Sequence, residues 1–527
     1  MRVSGSKSDL EVDDMTEPAG IFSSGMILQR DCGYAIWGKE TTKDKVLVLF
    51  EEKTYEAEVR DGRFRVELPA HEASTGCRIV ISGSSTVVLE DVCFGDCFFL
   101  SGQSNMELPV YRTRDVSAAE IDASDYPFIR QYRVTPQFQL SSENPPELPA
   151  LPWTKASGKE LEEMSALGFF CAKRLYDEFK VPIGLILAAQ GGSTIESWMP
   201  ADLLSGFGDF EKVYSRFTGD GVLRNYLSKQ EASNASWREQ LESEDDQTLP
   251  FLSDVPADAV DFPVPGMLLA DGREEYEGVM WFYKEFELEE ETEEEAFLYL
   301  GDLIDADQTF VNGTLVGRTE YRYPPRKYPF DGRILNKGKN IICVRLIIEA
   351  GNGGFVAEHP YFIKCGREKL ELSGTWKRLE GKRSPTHLDP GLRGQVIPTA
   401  LFETSVRTLK DFVMKGIWWY QGESNSDDPE RYDEKFRAMI ACWRDLFRKE
   451  LPVVCVEMPD YQDPISGKQP EGWASIQAQQ RKAPEDVPLC AVTMGHDLGT
   501  PLELHPQRKS ELGERLAVTV KELFYPS

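Results

Sequence analysis

Short alternating runs open the chain. Between residues 21 and about 91, YAIWG, KVLVLF, TYEAEV, RFRVEL and RIVIS alternate apolar with polar positions or are rich in β-branched residues, as half-buried strands do. Asp61-Gly62 is a hairpin signal between two of them. A small all-β sandwich over residues 1–91 is predicted. The texture changes at Val92. CFGDCFFL reads as a buried strand ending at Ser101-Gly102, ALGFFCAKRLYDEF carries apolar residues at helical spacing, and VPIGLILAAQ is again a buried strand. Strands alternating with helices predict an α/β layer structure, with functional groups where the strands end. This domain is expected to begin at 92–270. Residues 205–265 are polar and show no clear period, and they include the acidic group Glu242, Glu244, Asp245 and Asp246.

From Val279 the β pattern returns in VMWFYKEFEL, AFLYLGDL, QTFVNGTLVG and NIICVRLII, with Asn312-Gly313 and Asn336-Lys337-Gly338 as turns and 289–295 as an acidic loop. A second β module over 271–395 is expected to interrupt the α/β domain. That domain resumes over 396–527 with a helix near 404–414, the strand GIWWYQ, a helix near 430–448, the strand VVCVEM and an amphipathic helix over about 507–523. No tandem repeat is present.

Composition narrows the function classes. The 527 residues hold 41% hydrophobic positions, enough for several packed cores. Lys and Arg number 59 against 88 Asp and Glu, a formal net charge of −29, which argues against a nucleic-acid partner and against an anionic membrane surface. No run of about 20 apolar residues suggests a membrane span. Ten dispersed cysteines without a CxxC pair suit reduced core thiols better than a zinc site or a disulfide scaffold. The polar N-terminus shows no apolar signal segment, so a cytoplasmic location is expected, or a secreted one if a leader has been removed. The sequons at Asn234 and Asn312 would matter only in a eukaryotic secretory route.

Five histidines bound any histidine-based chemistry: His71, His359, His387, His496 and His505. His505 is the best placed, on a loop beyond a strand and before a helix. Three serines compete as a nucleophile at strand-to-turn positions: Ser104 in Gly-Gln-Ser-Asn, Ser193 in Gly-Gly-Ser, and Ser424 in Gly-Glu-Ser-Asn. None has the G-x-S-x-G elbow, each could equally cap a helix, and spacing alone does not rank Ser104 over Ser424. Neither metal-ligand spacing nor a phosphate-binding glycine loop occurs, so no cofactor is expected.

At these residues the chain resembles the sialate O-acetylesterase family of SGNH-type esterases. GDCFFLSGQSNMELPV, VPIGLILAAQGGSTIESWMP, KGIWWYQGESNSDDPERY and DLGTPLELHPQRKSELGERLA are similar to that family's blocks, and FSSGMILQR with YAIWG to its opening. The resemblance implies an α/β fold: an SGNH-type three-layer α/β/α hydrolase domain with an N-terminal β-sandwich and an inserted jelly-roll-like β module. It implies Ser104 as nucleophile and His505 as general base. The implied oxyanion hole is the Ser104 amide, a glycine amide at Gly191 or Gly192, and the side chain of Gln421 or Asn425, with Glu423 anchoring that turn. The implied substrate is an O-acetylated sugar: sialic acid first, xylan or hemicellulose fragments second, with non-catalytic sugar binding as a third reading. A sialic acid carboxylate would call for a cation, and Arg508, Lys509 and Arg112 lie near the motifs in sequence. The chain departs from the family where an Asp usually stands three residues before the histidine, since Leu502 is there. Glu503, Asp497 or a backbone carbonyl would then orient His505. Gly-Gly-Ser replaces Gly-Gly-Thr, and TALFETSVRTL lacks the usual Asn-Gly-Met. The role of the inserted module, as lid, sugar platform or contact of a homodimer, is open at this level.

Overall fold

A computed structural model describes residues 15–140, 147–208, 210–219, 221–245, 254–271, 274–389, 391–463 and 466–525. Its centre is a mainly parallel sheet built from β1 (Thr86–Gly102), β2 (Asp125–Arg133), β3 (Thr154–Ser157), β4 (Ile183–Ala189), β5 (Gly416–Tyr420), β6 (Val453–Val456) and β7 (Cys490–Thr493). The spatial order is β3-β2-β4-β1-β5-β6-β7, with only β3 antiparallel to its neighbour. Strand β1 is the point where chain order reverses, since β4 lies on one side and β5 on the other. A crevice opens there, outside the carboxyl ends of the strands.

The continuous apolar run CFGDCFFL is explained by burial on both faces. Phe98 and Leu100 point to one side, where they meet α2 (Ala166–Phe179) and α5 (Lys509–Phe524). Phe99 points to the other, where α3 (Tyr432–Phe447) and α4 (Trp473–Asp486) pack through Met439, Trp443, Ile476 and Ala483. The alternation follows from the two-residue period of a strand.

The N-terminal strands lie between Thr16 and Ser82. The change of texture falls inside β1 and not in a linker. The first half of β1 pairs antiparallel with Ser74–Ser82, and its second half pairs parallel with β4 and β5. One continuous core runs from Ile36 and Val66 to Trp419 and Trp443. The inserted strands form antiparallel sheets of six and four strands, with a smaller three-stranded one, around Phe262, Phe282, Leu298, Val344, Ile363 and Trp376. They begin before residue 271: Val260–Val264 pairs with Gly374–Arg383. The polar stretch that showed no period contains a helix, Val222–Asp245, which lays Trp237 and Leu241 on the outer face of the inserted sheet. Glu242 and the backbone of Glu244 and Asp245 belong to it, whereas Asp246 lies outside the described residues.

The helix expected near 404–414 is replaced by a short π turn over Phe402–Val406 and a 3-10 turn over Arg407–Leu409. Phe402 to Val406 are buried on every side, so no polar face exists for a regular amphipathic helix. All ten cysteines are free thiols. Among the described residues no helix is long and apolar enough to cross a membrane.

Gly416 at the start of β5 faces α5 so closely that a Cβ there would stand 1.7 Å from Phe524 Cε1. Gly416→Ala should therefore overpack the core and cost about 1–3 kcal/mol, read as a lowered thermal midpoint. Adding Phe524→Leu should restore part of the loss, and a midpoint unmoved by Gly416→Ala would contradict this packing.

Candidate active site

Four loops meet at the crevice, each leaving the carboxyl end of a strand. The first begins at Gly102, where φ is +129° and a Cβ would sit 2.1 Å from the Tyr420 carbonyl oxygen, so glycine alone lets β5 close against this turn. The chain then enters the short helical turn Ser104–Glu107. The second loop, after β4, carries Gly191 and Gly192. The third, after β5, carries 421–425, and the fourth descends from β7 to His505 just before α5. Ser104 Oγ and His505 Nε2 lie 2.8 Å apart. That is within hydrogen-bond reach for a hydroxyl and an imidazole.

Asn105 ties three of these segments together. Its Nδ2 donates to Glu423 Oε1 at 2.6 Å and to the Leu504 carbonyl at 3.0 Å, and its Oδ1 accepts from Lys509 Nζ at 2.7 Å. Gln103 Oε1 accepts from the backbone amides of Gly422 and Ser424 at 3.4 and 3.3 Å. Burial shapes the charges. It pushes the Glu423 carboxyl above its usual range and pulls the Lys509 ammonium down to about 7. The His505 ring reaches the cavity at one edge but is embedded in protein elsewhere. Burial first, then the charges of Arg112 and Lys509, lower it to about 3, so its ring is neutral and ready to accept a proton.

The other candidates hold the frame. Gly191 N donates to Glu107 Oε2 at 2.8 Å, and Glu107 also pairs with Arg133. Gln421 Nε2 donates to the Ser193 carbonyl at 3.0 Å and to Asn425 Oδ1 at 2.7 Å. Asn425 Oδ1 also accepts from Ile195 N, and its Nδ2 donates to both carboxylate oxygens of Glu196 at 3.3 and 3.0 Å. The expected oxyanion donors Gly191, Gln421 and Asn425 are thus already engaged. Among the described residues, the amides of Ser104 and Gly192 make no internal hydrogen bond. Gly192 adopts φ +71°.

The expected orienting acids also turn away from the ring. Glu503 accepts from the backbone amides of Gln507 at 2.9 Å and Thr500 at 3.4 Å, which closes the His505 loop itself. Asp497 grips Arg515 at 2.6 and 2.8 Å. Neither bonds the imidazole, because both are spent on their own turn or helix. Ser193 is buried, accepting from Trp198 Nε1 at 3.0 Å, and Ser424 sits in a 3-10 turn. Of the remaining histidines, His71 stacks on Phe94 in the N-terminal module, His387 is exposed beside Glu277, and His496 bonds Glu457.

Sequence reading missed the contribution of the inserted module. Tyr323 sets its ring at 89° to the His505 ring with centroids 5.3 Å apart, an edge-to-face contact. Asp302, Glu358 and His359 line the same cavity as His505, together with Arg112, Glu503 and Gln507. The ligand-capable atoms of Asp302, Glu358 and His359 all lie within 4.8 Å of one another, so among the described residues this group has a composition that could hold a metal ion. Glu358 and His359 already pair with each other at 3.2 Å. Asp302 is raised to about 6 by burial and by Glu358. Nothing local marks these residues in the sequence, since only the fold brings them beside a loop near residue 505.

Comparison with known proteins points one way. Residues 390–522 match the family described as carbohydrate esterase, sialic acid-specific acetylesterase. The human sialate O-acetylesterase is 27% identical over 199 residues, covering 34% of this chain and 38% of that protein. The mouse sialate O-acetylesterase is 33% identical over 120 residues, covering 21% and 22%. The chain thus matches well under half the length of these curated relatives. A crystal structure described as a novel carbohydrate acetylesterase from Xanthomonas citri aligns with a TM-score of 0.58 and 20% identity, covering 97% of this chain and 76% of that one, a likeness of fold. Residues 390–522, which hold the WYQGESN block and His505, are thus similar to the sialic acid-specific acetylesterase family.

The His505 environment makes a measurable claim. An ordinary imidazole titrates near 6.5. By NMR, the His505 ring should stay neutral through pH 5, whereas a midpoint between 6 and 7 would contradict its enclosure. The folded value is depressed, so the unfolded chain takes up this proton first. The group's contribution to stability is complete above about 6.5 and declines as pH falls toward about 3.

Proposed function

We propose that this protein is a serine carboxylic-ester hydrolase, built on an SGNH-type hydrolase domain, that removes O-acetyl groups from a sugar through an acetyl-serine intermediate. O-acetylated sialic acid is the first substrate reading. The observation that carries the proposal is the 2.8 Å contact between Ser104 Oγ and His505 Nε2. Kinship with the sialate O-acetylesterases supports it.

In this mechanism the neutral His505 ring draws the proton from Ser104 as Oγ attacks the acetyl carbonyl. The amides of Ser104 and Gly192 face no competing internal acceptor and serve the tetrahedral oxyanion. Each such donor contributes on the order of 3 kcal/mol. The carbon–oxygen bond to the sugar breaks, and the sugar oxygen leaves with the proton from His505. Water then attacks the acetyl-serine by the same proton route and releases acetate. The imidazole is held by Ser104, by the Asn105 bond to the preceding carbonyl, and by Tyr323. A neutral acetylated sugar, such as a xylan fragment, is the second reading. Asp302 on the cavity wall favours it, because its Oδ1 is buried without a hydrogen-bond partner and any sugar hydroxyl can donate to it.

Ser104→Ala and His505→Ala should each lower kcat on p-nitrophenyl acetate by at least about a thousandfold. Asp497→Asn should stay within roughly threefold of wild type and Glu503→Gln within roughly tenfold, against the ~10⁴ typical of losing an orienting acid. Activity surviving in Ser104→Ala would overturn the proposal, and collapse in Asp497→Asn would overturn the two-residue mechanism.

A further inference from the structure

Glu503 and Asp497 both turn away from the His505 ring, so the orientation of that ring depends on the loop that carries it. The loop is fastened at Gln507. Gln507 N donates to Glu503 Oε1 at 2.9 Å, and its carbonyl accepts from Lys509 N at 2.7 Å. Its side chain reaches out of the loop, where Nε2 donates to Asp115 Oδ2 at 3.0 Å. Pro506 stands between Gln507 and His505. The proline ring fixes its own φ and narrows the backbone of the residue before it, so a shift at Gln507 is passed on to His505.

Asp115 belongs to the α/β domain, in the first turn of the helix Arg114–Asp122. Two further donors to its carboxylate come from the inserted module. Tyr299 OH donates to Oδ2 at 3.1 Å, and Lys327 Nζ pairs with Oδ1. Tyr299 and Lys327 stand directly opposite each other on the antiparallel strands Glu295–Tyr299 and Lys327–Asp331. Their side chains therefore leave one face of the sheet together, and the ammonium lies 5.5 Å from the centre of the Tyr299 ring. Burial alone would push the Asp115 carboxyl up, but Lys327, Gln507 and Tyr299 together hold it below its usual range. Among the described residues, the cavity beside His505 is lined by Gln507 but not by Asp115, Tyr299 or Lys327. One carboxylate outside the cavity thus joins two side chains of the inserted module to the loop of the general base.

We propose that Asp115 is a positioning residue for His505, through which the docked inserted module sets where the imidazole stands relative to Ser104 Oγ. Tyr323 of the same module meets the ring edge-to-face, so the module acts on the histidine twice, once on the ring and once through its loop. The module is then a working part of the catalytic unit as well as a wall for substrate. A misplacement of about 1 Å can cost about a hundredfold in rate, and a loosened base loses rate while substrate affinity stays. The inference rests on the esterase reading above and adds a positioning residue to it.

The test measures kcat and KM of the full chain on p-nitrophenyl acetate, per active site counted by exhaustive fluorophosphonate labelling, so that misfolded protein drops out. Asp115→Ala should lower kcat about tenfold and leave KM within about twofold. Asp115→Asn keeps an acceptor oxygen for Gln507 and should recover most of that rate. Gln507→Ala should lose a similar factor, and combining it with Asp115→Ala should add less than about twofold, because both changes remove one contact. Tyr299→Phe together with Lys327→Met, both outside the cavity, should lower kcat about threefold. An unchanged kcat in Asp115→Ala, an effect confined to KM, losses that multiply in the double variant, or full rate in the Tyr299→Phe, Lys327→Met protein would each overturn the role of Asp115. Failure of the wild type to hydrolyse p-nitrophenyl acetate would instead overturn the esterase reading beneath it.

Discussion

A hydroxyl and an imidazole 401 positions apart in the chain share one hydrogen, and the architecture is arranged around that contact. The contact requires β1 and β7 to end on the same side of one sheet, which parallel pairing provides. It also requires the turn after β1 and the loop before α5 to be held at a fixed separation. A hydroxyl–imidazole pair tolerates only a few tenths of an ångström, so the holding cannot be left to loose loops. Asn105 provides it, because a single amide bonds the 423 turn, the carbonyl next to His505 and the first residue of α5.

Most of the motif residues turn out to be frame. Gln103, Asn105, Glu196, Gln421, Glu423 and Asn425 bond across three strand ends, in contacts that span 228 to 319 positions of the chain. Buried polar networks of this kind are stabilising only when nearly every member is satisfied. Glu196 illustrates the point. It is buried, and its carboxylate is met by Asn425 and by Lys435 Nζ at 2.7 Å. Such a network fixes one arrangement of the loops and engages its own amides in doing so, whereas among the described residues the backbone amides of Ser104 and Gly192 have no internal acceptor.

How much of this was legible in the sequence depended on the range of the signal. Period-two runs marked the strands, and α/β alternation implied functional groups at the strand ends, but the order of β1, β4 and β5 in the sheet was not read from the sequence. Ser104 and His505 came together in the fold as their motif positions implied. The roles of Gln421, Asn425, Gly191, Glu503 and Asp497 were not legible, because a hydrogen bond to the next turn and a hydrogen bond to a substrate draw on the same residue types. The helix Val222–Asp245 was hidden for another reason. Its apolar contact with the inserted sheet is a narrow stripe, Trp237 and Leu241, and Arg238 beside them meets Glu349 and Glu320 by charge, so the polar positions drown the period. Tyr323, Asp302 and Arg112 gather at the cavity only through the docking of the inserted module.

If the 2.8 Å contact activates Ser104, no other serine of the protein should be as nucleophilic. It is tested most directly by labelling the folded protein with a serine-reactive fluorophosphonate and mapping the modified residue by peptide mass spectrometry. One label is expected, on Ser104, and it should disappear in His505→Ala. A label on Ser424 or Ser193, or an equal label on Ser104 without His505, would contradict it.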